Sequence, residues 1–496
     1  MKKEFLPVVI SRMGINLINL LLIVFLVLSA SCFAKQAPAF IFSAGDENRQ
    51  VVGNWLGTLD IMGNKLRIIF KVSGAGQDSL TALLDSPDQG AKNIPVSMVI
   101  SNKDSVYFEV KIAAGYFAGK PDFTDNKIEG IWSQGGIKFP LVLEKIDKVE
   151  EVKRPQDPEA PFLYNEEEVT FENKEAGVTL AGTLTFPKEG SNFPVVILVS
   201  GSGPQNRNEE LYNHRPFWVW ADHLTRNGFA VLRYDDRGVG KSTGDFGTAI
   251  TTDFATDAVS AVEYIKTRKE INPGKIGVCG HSEGGIIAPI AANKSKDVSF
   301  IVLAGGPAVP GNEIVTLQRE LILRDQGIPE EDIKKQEEFY KRAFDKVMNI
   351  EELDSARAEI AKIIEEYYNT LTEEEKQKPE NSKEAQVQAV NSIFNPWFKF
   401  FLKFDPRTEL TKVSVPVLAM YGEKDLQVPP SQNKDEMEKA LSKSSSKKYN
   451  VVVMPGVNHL FQETKGYSPM DYAKIEQTVS PDVLNIMTAW LKEVTK

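Results

Sequence analysis

The chain is 496 residues long with a formal net charge of −10, a length that suits about two to three domains. No basic cluster is interleaved with aromatic side chains, so capture of a nucleic-acid backbone is not expected. Two cysteines, Cys32 and Cys279, exclude a disulfide framework. No histidine–cysteine spacing suits zinc and no glycine-rich lysine motif suits a nucleotide, so neither a metal nor a cofactor is expected.

At the N-terminus, Lys2, Lys3 and Arg12 precede an apolar run from Ile15 to Leu28, and small residues Ser29-Ala30-Ser31 follow. This is the pattern of a signal peptide over residues 1–34, with cleavage after Ala34. Export, periplasmic or extracellular, is the expectation. Attachment to the membrane or cell envelope is the alternative, because Leu28-Ser29-Ala30-Ser31-Cys32 resembles a bacterial lipoprotein box with its leucine one position early. The apolar run is shorter than the ~20 residues that a stable span needs.

Residues 45–147 change character. Short runs such as Leu66-Arg67-Ile68-Ile69-Phe70-Lys71-Val72, Val106-Tyr107-Phe108-Glu109-Val110 and Phe139-Pro140-Leu141-Val142-Leu143 alternate with Gly, Asp and Asn turns, which predicts a small antiparallel sandwich or barrel. The opening Gly53-Asn54-Trp55-Leu56-Gly57 and closing Gly130-Ile131-Trp132 resemble a lipocalin-like barrel, its aromatics filling the core. The charged, proline-bearing stretch at 148–164 reads as a linker, and 165–496 as a second, larger domain.

In that domain the apolar run Pro194 to Val199 ends in Ser200-Gly201-Ser202-Gly203-Pro204, a turn whose backbone can approach a ligand closely. A second strand, Phe229 to Leu232, leads into Asp235-Asp236-Arg237, read as loop-bracing ion pairs. A third, Lys275 to Cys279, runs into Gly280-His281-Ser282-Glu283-Gly284 and then the helix-like Gly285 to Ile290. Strand, sharp turn and helix are the context in which G-x-S-x-G presents a serine nucleophile. Cys279, on that strand, is expected in the core. After the strand Val298 to Ala304, residues 310–406 form an insertion with apolar residues at helical spacing, long enough to be a helical cap. Phe394, Trp397, Phe398, Phe401 and Phe404 are read first as packing for that cap and second as pocket lining.

A serine hydroxyl needs a base within reach and an acid to orient the base. Four histidines are available. His281 adjoins Ser282 and should point away from its hydroxyl, and His214 and His223 flank a helix-like segment before the turn. His459 follows the strand Tyr449 to Met454 on a C-terminal loop, where a base can reach the serine. Asp425 lies on the loop after the strand Val415 to Tyr421. Catalysis is therefore assigned to Ser282, Asp425 and His459. The oxyanion hole is assigned to the backbone N–H groups of Ser202 and Glu283, one on the glycine-rich turn and one just after the serine.

The Ser200 to Pro204 loop, the run Arg233 to Ser242, the turn at Ser282, Gly422-Glu423-Lys424-Asp425 and Asn458-His459 together resemble the α/β-hydrolase superfamily, in its bacterial esterase and acyl-hydrolase branch. The order serine, aspartate, histidine is that of the superfamily's triads. Many relatives open the oxyanion loop with His-Gly, where this chain has Ser200-Gly201. The resemblance implies an α/β fold preceded by the β-rich domain. It also implies a secreted serine hydrolase that cleaves small-molecule carboxylic esters through an acyl-enzyme. A thioesterase, an acyltransferase or a peptidase would use the same triad, and a non-catalytic glycan- or lipid-binding scaffold is the reading from another class.

Overall fold

The computed structural model describes residues 50–376 and 395–496, apart from short stretches at 62–63, 75–78, 88–90, 114, 135–136 and 149–153. The signal-peptide segment with Cys32, and Phe394, lie outside the described residues.

The first module is one antiparallel sheet of nine strands: β1 (Gly53–Ile61), β2 (Asn64–Gly74), β3 (Leu80–Ser86), β4 (Ala91–Pro95), β5 (Met98–Ser101), β6 (Val106–Val110), β7 (Gly115–Asp122), β8 (Lys127–Gln134) and β9 (Ile137–Ile146). Their order is β4-β3-β2-β1-β9-β8-β7-β6-β5. The edges come together where β4 passes into β5: Val96 N–H donates to the Ala82 carbonyl in β3 (3.1 Å) and Ser97 N–H to the Glu109 carbonyl in β6 (2.6 Å). A single rolled sheet replaces the two sheets a sandwich would need, so of the two architectures expected the barrel-like one is adopted. Alternation turns Trp55, Phe70, Phe108, Phe117, Ile128 and Leu143 inward, all buried in one cluster, with Phe70 and Phe108 stacked at 4.4 Å. The Trp55 indole N–H donates to the Val51 carbonyl at 2.6 Å, so the buried ring leaves no donor unpaired.

The chain then crosses to the larger module by a segment held by hydrogen bonds. Arg154, 6% exposed, donates to the carbonyls of Ile475 (2.8 Å), Tyr212 (2.8 Å) and Ala473 (2.9 Å). Gln156 donates to the Val479 carbonyl and accepts from the amides of Thr478 and Val479, and Asp157 pairs with Arg215 at 2.7 Å.

The larger module is an eight-stranded sheet of β10 (Tyr164–Asn173), β11 (Val178–Pro187), β12 (Phe193–Val199), β13 (Ala230–Tyr234), β14 (Ile271–His281), β15 (Val298–Ala304), β16 (Val417–Gly422) and β17 (Tyr449–Met454). The order is β10-β11-β13-β12-β14-β15-β16-β17. The β10–β11 and β11–β13 pairs are antiparallel, and every later neighbour is parallel. Central strands buried on both faces read as continuous apolar runs, which is why β12 and β15 are visible in the sequence. Helices α1 (Pro216–Arg226), α2 (Thr251–Lys266) and α3 (Gly284–Lys294) follow the early strands, and α3 is buried along nearly its whole length. α2 and α3 cover one face of the sheet, and α1 covers the other.

Between β15 and β16 the insertion supplies α4 (Gly311–Asp325), α5 (Glu330–Asn349), α6 (Leu353–Thr370) and α7 (Pro396–Lys403). On α5 the buried residues Ile333, Gln336, Phe339, Tyr340, Ala343, Phe344 and Val347 recur at three- and four-residue spacing, one apolar stripe that packs with Ile360, Ile363 and Ile364 of α6. α7 starts sharply: the Asn395 side chain accepts from the Phe398 amide (2.7 Å) and Pro396 takes the first helical position. Helices α8 (Pro430–Ser442) and α9 (Pro481–Val494) complete the two faces of the sheet.

Arg154 carries a specific expectation. Arg154→Met leaves three partly buried carbonyls without their donor, which should lower unfolding stability by about 2–4 kcal/mol. Urea unfolding of the variant beside the wild type checks it, and coincident transitions would contradict the docking of this segment.

Candidate active site

β14 ends at His281 and α3 begins at Gly284, and Ser282 between them has φ +54°. A non-glycine residue in this left-handed region costs on the order of 1–3 kcal/mol and persists only where its surroundings hold it. Here Ser282 N–H donates to the Ala304 carbonyl of β15 and the Ser282 carbonyl accepts from Gly285, both at 2.8 Å. The turn is too tight for side chains on either flank. A Cβ on Gly280 would lie 1.9 Å from the Gly284 carbonyl oxygen, and one on Gly284 would lie 2.3 Å from that of Val199 in β12.

Asp425 and His459 come from the ends of the next strands, β16 and β17. His459 Nδ1 meets Asp425 Oδ2 at 2.7 Å. The other carboxylate oxygen accepts from the amides of Gln427 (2.7 Å) and Val428 (2.9 Å), and the Asp425 side chain has no exposed surface. A carboxylate so held accepts the Nδ1 proton, which leaves the Nε2 lone pair for the cavity. Ser282 and His459 line the same cavity, of about 190 Å³, and Asp425 stands behind it.

Ser202 and Glu283 also line that cavity, and among the described residues their amide N–H groups have no protein acceptor. The neighbouring Gly201 amide is instead committed to Glu209 Oε1 at 2.7 Å. The Ser200 hydroxyl donates to Asp236 Oδ1 at 2.8 Å, which gives Ser200 a bracing role. Asp236 also accepts from the Gln205 amide, Asp235 pairs with Arg207 (2.9 Å) and Arg237 with Asp257 (2.8 Å). The acidic cluster therefore braces loops, as its composition suggests. Buried Glu283 accepts from Thr251 Oγ1 (2.6 Å) and from the Trp397 indole of α7 (2.7 Å). Burial raises its pKa. Trp397, Phe398 and Phe401 both line the cavity and pack with neighbouring clusters, whereas Phe404 packs only.

Two participants carry no sequence signal. His281 lines the same cavity as Ser282, and its ring is tied to the site. Its Nδ1 meets Glu209 Oε1 at 2.9 Å and its Nε2 meets the His459 carbonyl at 3.0 Å. Glu209 thus joins the glycine-rich loop, through Gly201, to the serine turn, and His281 joins that turn to the histidine loop. Burial works against a charge on His281, but the Glu209 carboxylate, together with the His459 carbonyl and the Asp425 charge, more than offsets it and the pKa is raised. The remaining histidines are structural. His214 meets Thr478 Oγ1 and the Tyr472 carbonyl and is pushed down by burial to about 4. His223 meets Thr488 Oγ1. Cys279 is fully buried.

A family model described as the alpha/beta hydrolase fold matches residues 194–466, more than half of the chain. The chain belongs to the alpha/beta hydrolase fold family. This hydrolase is 26% identical over 327 residues to Esterase EstD of Thermotoga maritima, a match that covers 65% of this chain and 68% of that protein. A shorter match, 27% identical over 155 residues, covers 29% of this chain and 17% of human dipeptidyl peptidase 8. Among solved structures, an esterase of Pyrococcus furiosus matches with a TM-score of 0.41 at 18% identity, covering 70% of this chain and 96% of that one.

The Glu209–His281 pair generates a titration. Because the folded pKa of His281 is raised, the pair's contribution to stability is complete on the acid side of the ordinary histidine range and is lost as pH rises through the raised value. Glu209→Gln should lower the His281 midpoint, read by imidazole NMR. An unchanged midpoint would contradict the pairing.

Proposed function

We propose that this hydrolase cleaves carboxylic esters of small molecules through an acyl-enzyme on Ser282. The observation that carries the reading is the buried Asp425–His459 pair at 2.7 Å, opening onto the cavity that also holds the left-handed Ser282. The esterase name of the Thermotoga maritima relative supports the choice of ester among the family's possible substrates.

In this mechanism the Ser282 hydroxyl attacks the ester carbonyl as His459 Nε2 takes its proton. Asp425 holds the imidazole in the tautomer with Nδ1 protonated and stabilises the cation that forms. The carbonyl oxygen becomes an oxyanion, which the amides of Ser202 and Glu283 stabilise by a few kcal/mol, about 100- to 1,000-fold in rate. Collapse expels the alcohol, which takes the proton from His459 and leaves Ser282 acylated. Water, activated by the same imidazole, releases the acid and restores the serine. No step requires a metal or an organic cofactor.

Export through residues 1–34 is part of the same proposal, supported by the basic residues, apolar run and small residues of that segment. The mass of the mature N-terminus recovered from a secreting host checks it, and an intact Met1 in a soluble cytosolic fraction would contradict it.

A fluorophosphonate probe should label the wild-type protein and fail to label Ser282→Ala. Asp425→Asn should retain the fold and lower kcat on p-nitrophenyl esters by about 10,000-fold. Labelling that survives in Ser282→Ala, or amide turnover that outpaces ester turnover, would overturn the assignment.

A further inference from the structure

The cavity contains a cation that the mechanism does not use. Arg319 lies on α4, on the helix face that brings Ile314, Val315, Gln318 and Ile322 to the cavity wall, and it lines the same cavity as Ser282 and His459. It is only 7% exposed. Its guanidinium carbon lies over the Tyr340 ring, 3.2 Å from the ring centre. That contact supports a cation from one side but satisfies no N–H. Among the described residues, neither Nε nor Nη2 has a hydrogen-bond acceptor, and no carboxylate forms an ion pair with Arg319. Glu337 acts on it only through space.

A guanidinium cannot shed its proton to escape burial, and a buried cation without a partner is strongly destabilising. A position of this kind calls for an anionic partner, and a ligand in the cavity can supply one. The two unpaired donors are those of one edge of the guanidinium, parallel N–H bonds that match the two oxygens of a carboxylate. The walls around it are largely apolar, so the carboxylate would arrive on an apolar chain.

We propose that Arg319 is a specificity residue that receives a free carboxylate on the substrate, so that the preferred ester carries a second, unesterified carboxyl group. The proposal rests on the ester chemistry assigned to Ser282. Arg319 pairs with the remote carboxylate through Nε and Nη2 while the ester carbonyl sits against Ser282, and no bond to Arg319 forms or breaks.

The test compares kcat/KM within two matched series. One sets p-nitrophenyl hemiesters of linear dicarboxylic acids, adipic to sebacic, against p-nitrophenyl esters of monocarboxylic acids of equal length. The other sets acetate esters of ω-hydroxy acids against acetates of the matching alcohols, followed by pH-stat. The wild type should favour the charged member by at least about tenfold in one series. Arg319→Met should bring that ratio to one or below, and Arg319→Lys, which keeps the charge without the fork, should fall between. If Arg319→Met does not fold, the wild-type ratio and Arg319→Lys decide. A wild-type ratio near one in both series, or a preference that survives loss of the guanidinium, overturns the proposal. Fluorophosphonate labelling of Ser282 and turnover of the neutral esters test the ester chemistry separately. A protein that labels and cleaves neutral esters without a charge preference keeps that chemistry and loses this subsite, whereas one that cleaves neither series loses both.

Discussion

The left-handed turn at Ser282 is the constraint on which the rest of the site depends. It is held from three strands at once: Ser282 directly follows the end of β14, its N–H is bound to Ala304 of β15, and the Gly284 backbone rests against Val199 of β12. Those contacts aim the Glu283 amide and the glycine-rich loop after β12 into one cavity. The Glu283 side chain then reaches the indole of Trp397, so the residue proposed to supply a backbone donor also fastens the cap. A local strain of about 1–3 kcal/mol is tolerable because the parallel sheet beneath is buried on both faces and cannot yield without losing its core.

Around the turn, polar groups are buried in two contrasting ways. Glu209 and His281 satisfy each other and tie the serine turn to the glycine-rich loop and the histidine loop. Arg154 does the same at longer range, joining the chain that leaves the β-rich module to backbone carbonyls near Tyr212 and Tyr472. Arg319 is buried to a similar degree, but where Arg154 leaves only its Nε without an acceptor among the described residues, Arg319 leaves both Nε and Nη2, one whole edge of the guanidinium. The first two arrangements hold geometry, and the third is a demand for a ligand. Position separates them: Arg319 lines the cavity, whereas Arg154 lies outside it.

Much of this was legible in the sequence wherever the signal is local. β12 and β15 are continuous apolar runs because both their faces are covered, and the glycines of the serine turn are visible because backbone comes too close for any other residue. Asp425 and His459 stood out because each follows a strand end and because the chain has few histidines. Long-range contacts left no such trace. Glu209 lies 72 residues from His281, and nothing in either neighbourhood announces the pair. The choice between a sandwich and a rolled sheet turned on the contact of Val96-Ser97 with β3 and β6, which strand periodicity cannot reveal. The aromatics of α7 resisted division into packing and lining because Trp397, Phe398 and Phe401 do both.

The most direct test of the account is a crystal structure of the enzyme inhibited by an alkyl fluorophosphonate. The account predicts phosphorus bonded to Ser282 Oγ, the phosphoryl oxygen within hydrogen-bonding distance of the Ser202 and Glu283 amides, and the His459–Asp425 pair intact. Phosphorus on another side chain, or a phosphoryl oxygen turned away from both amides, would contradict it.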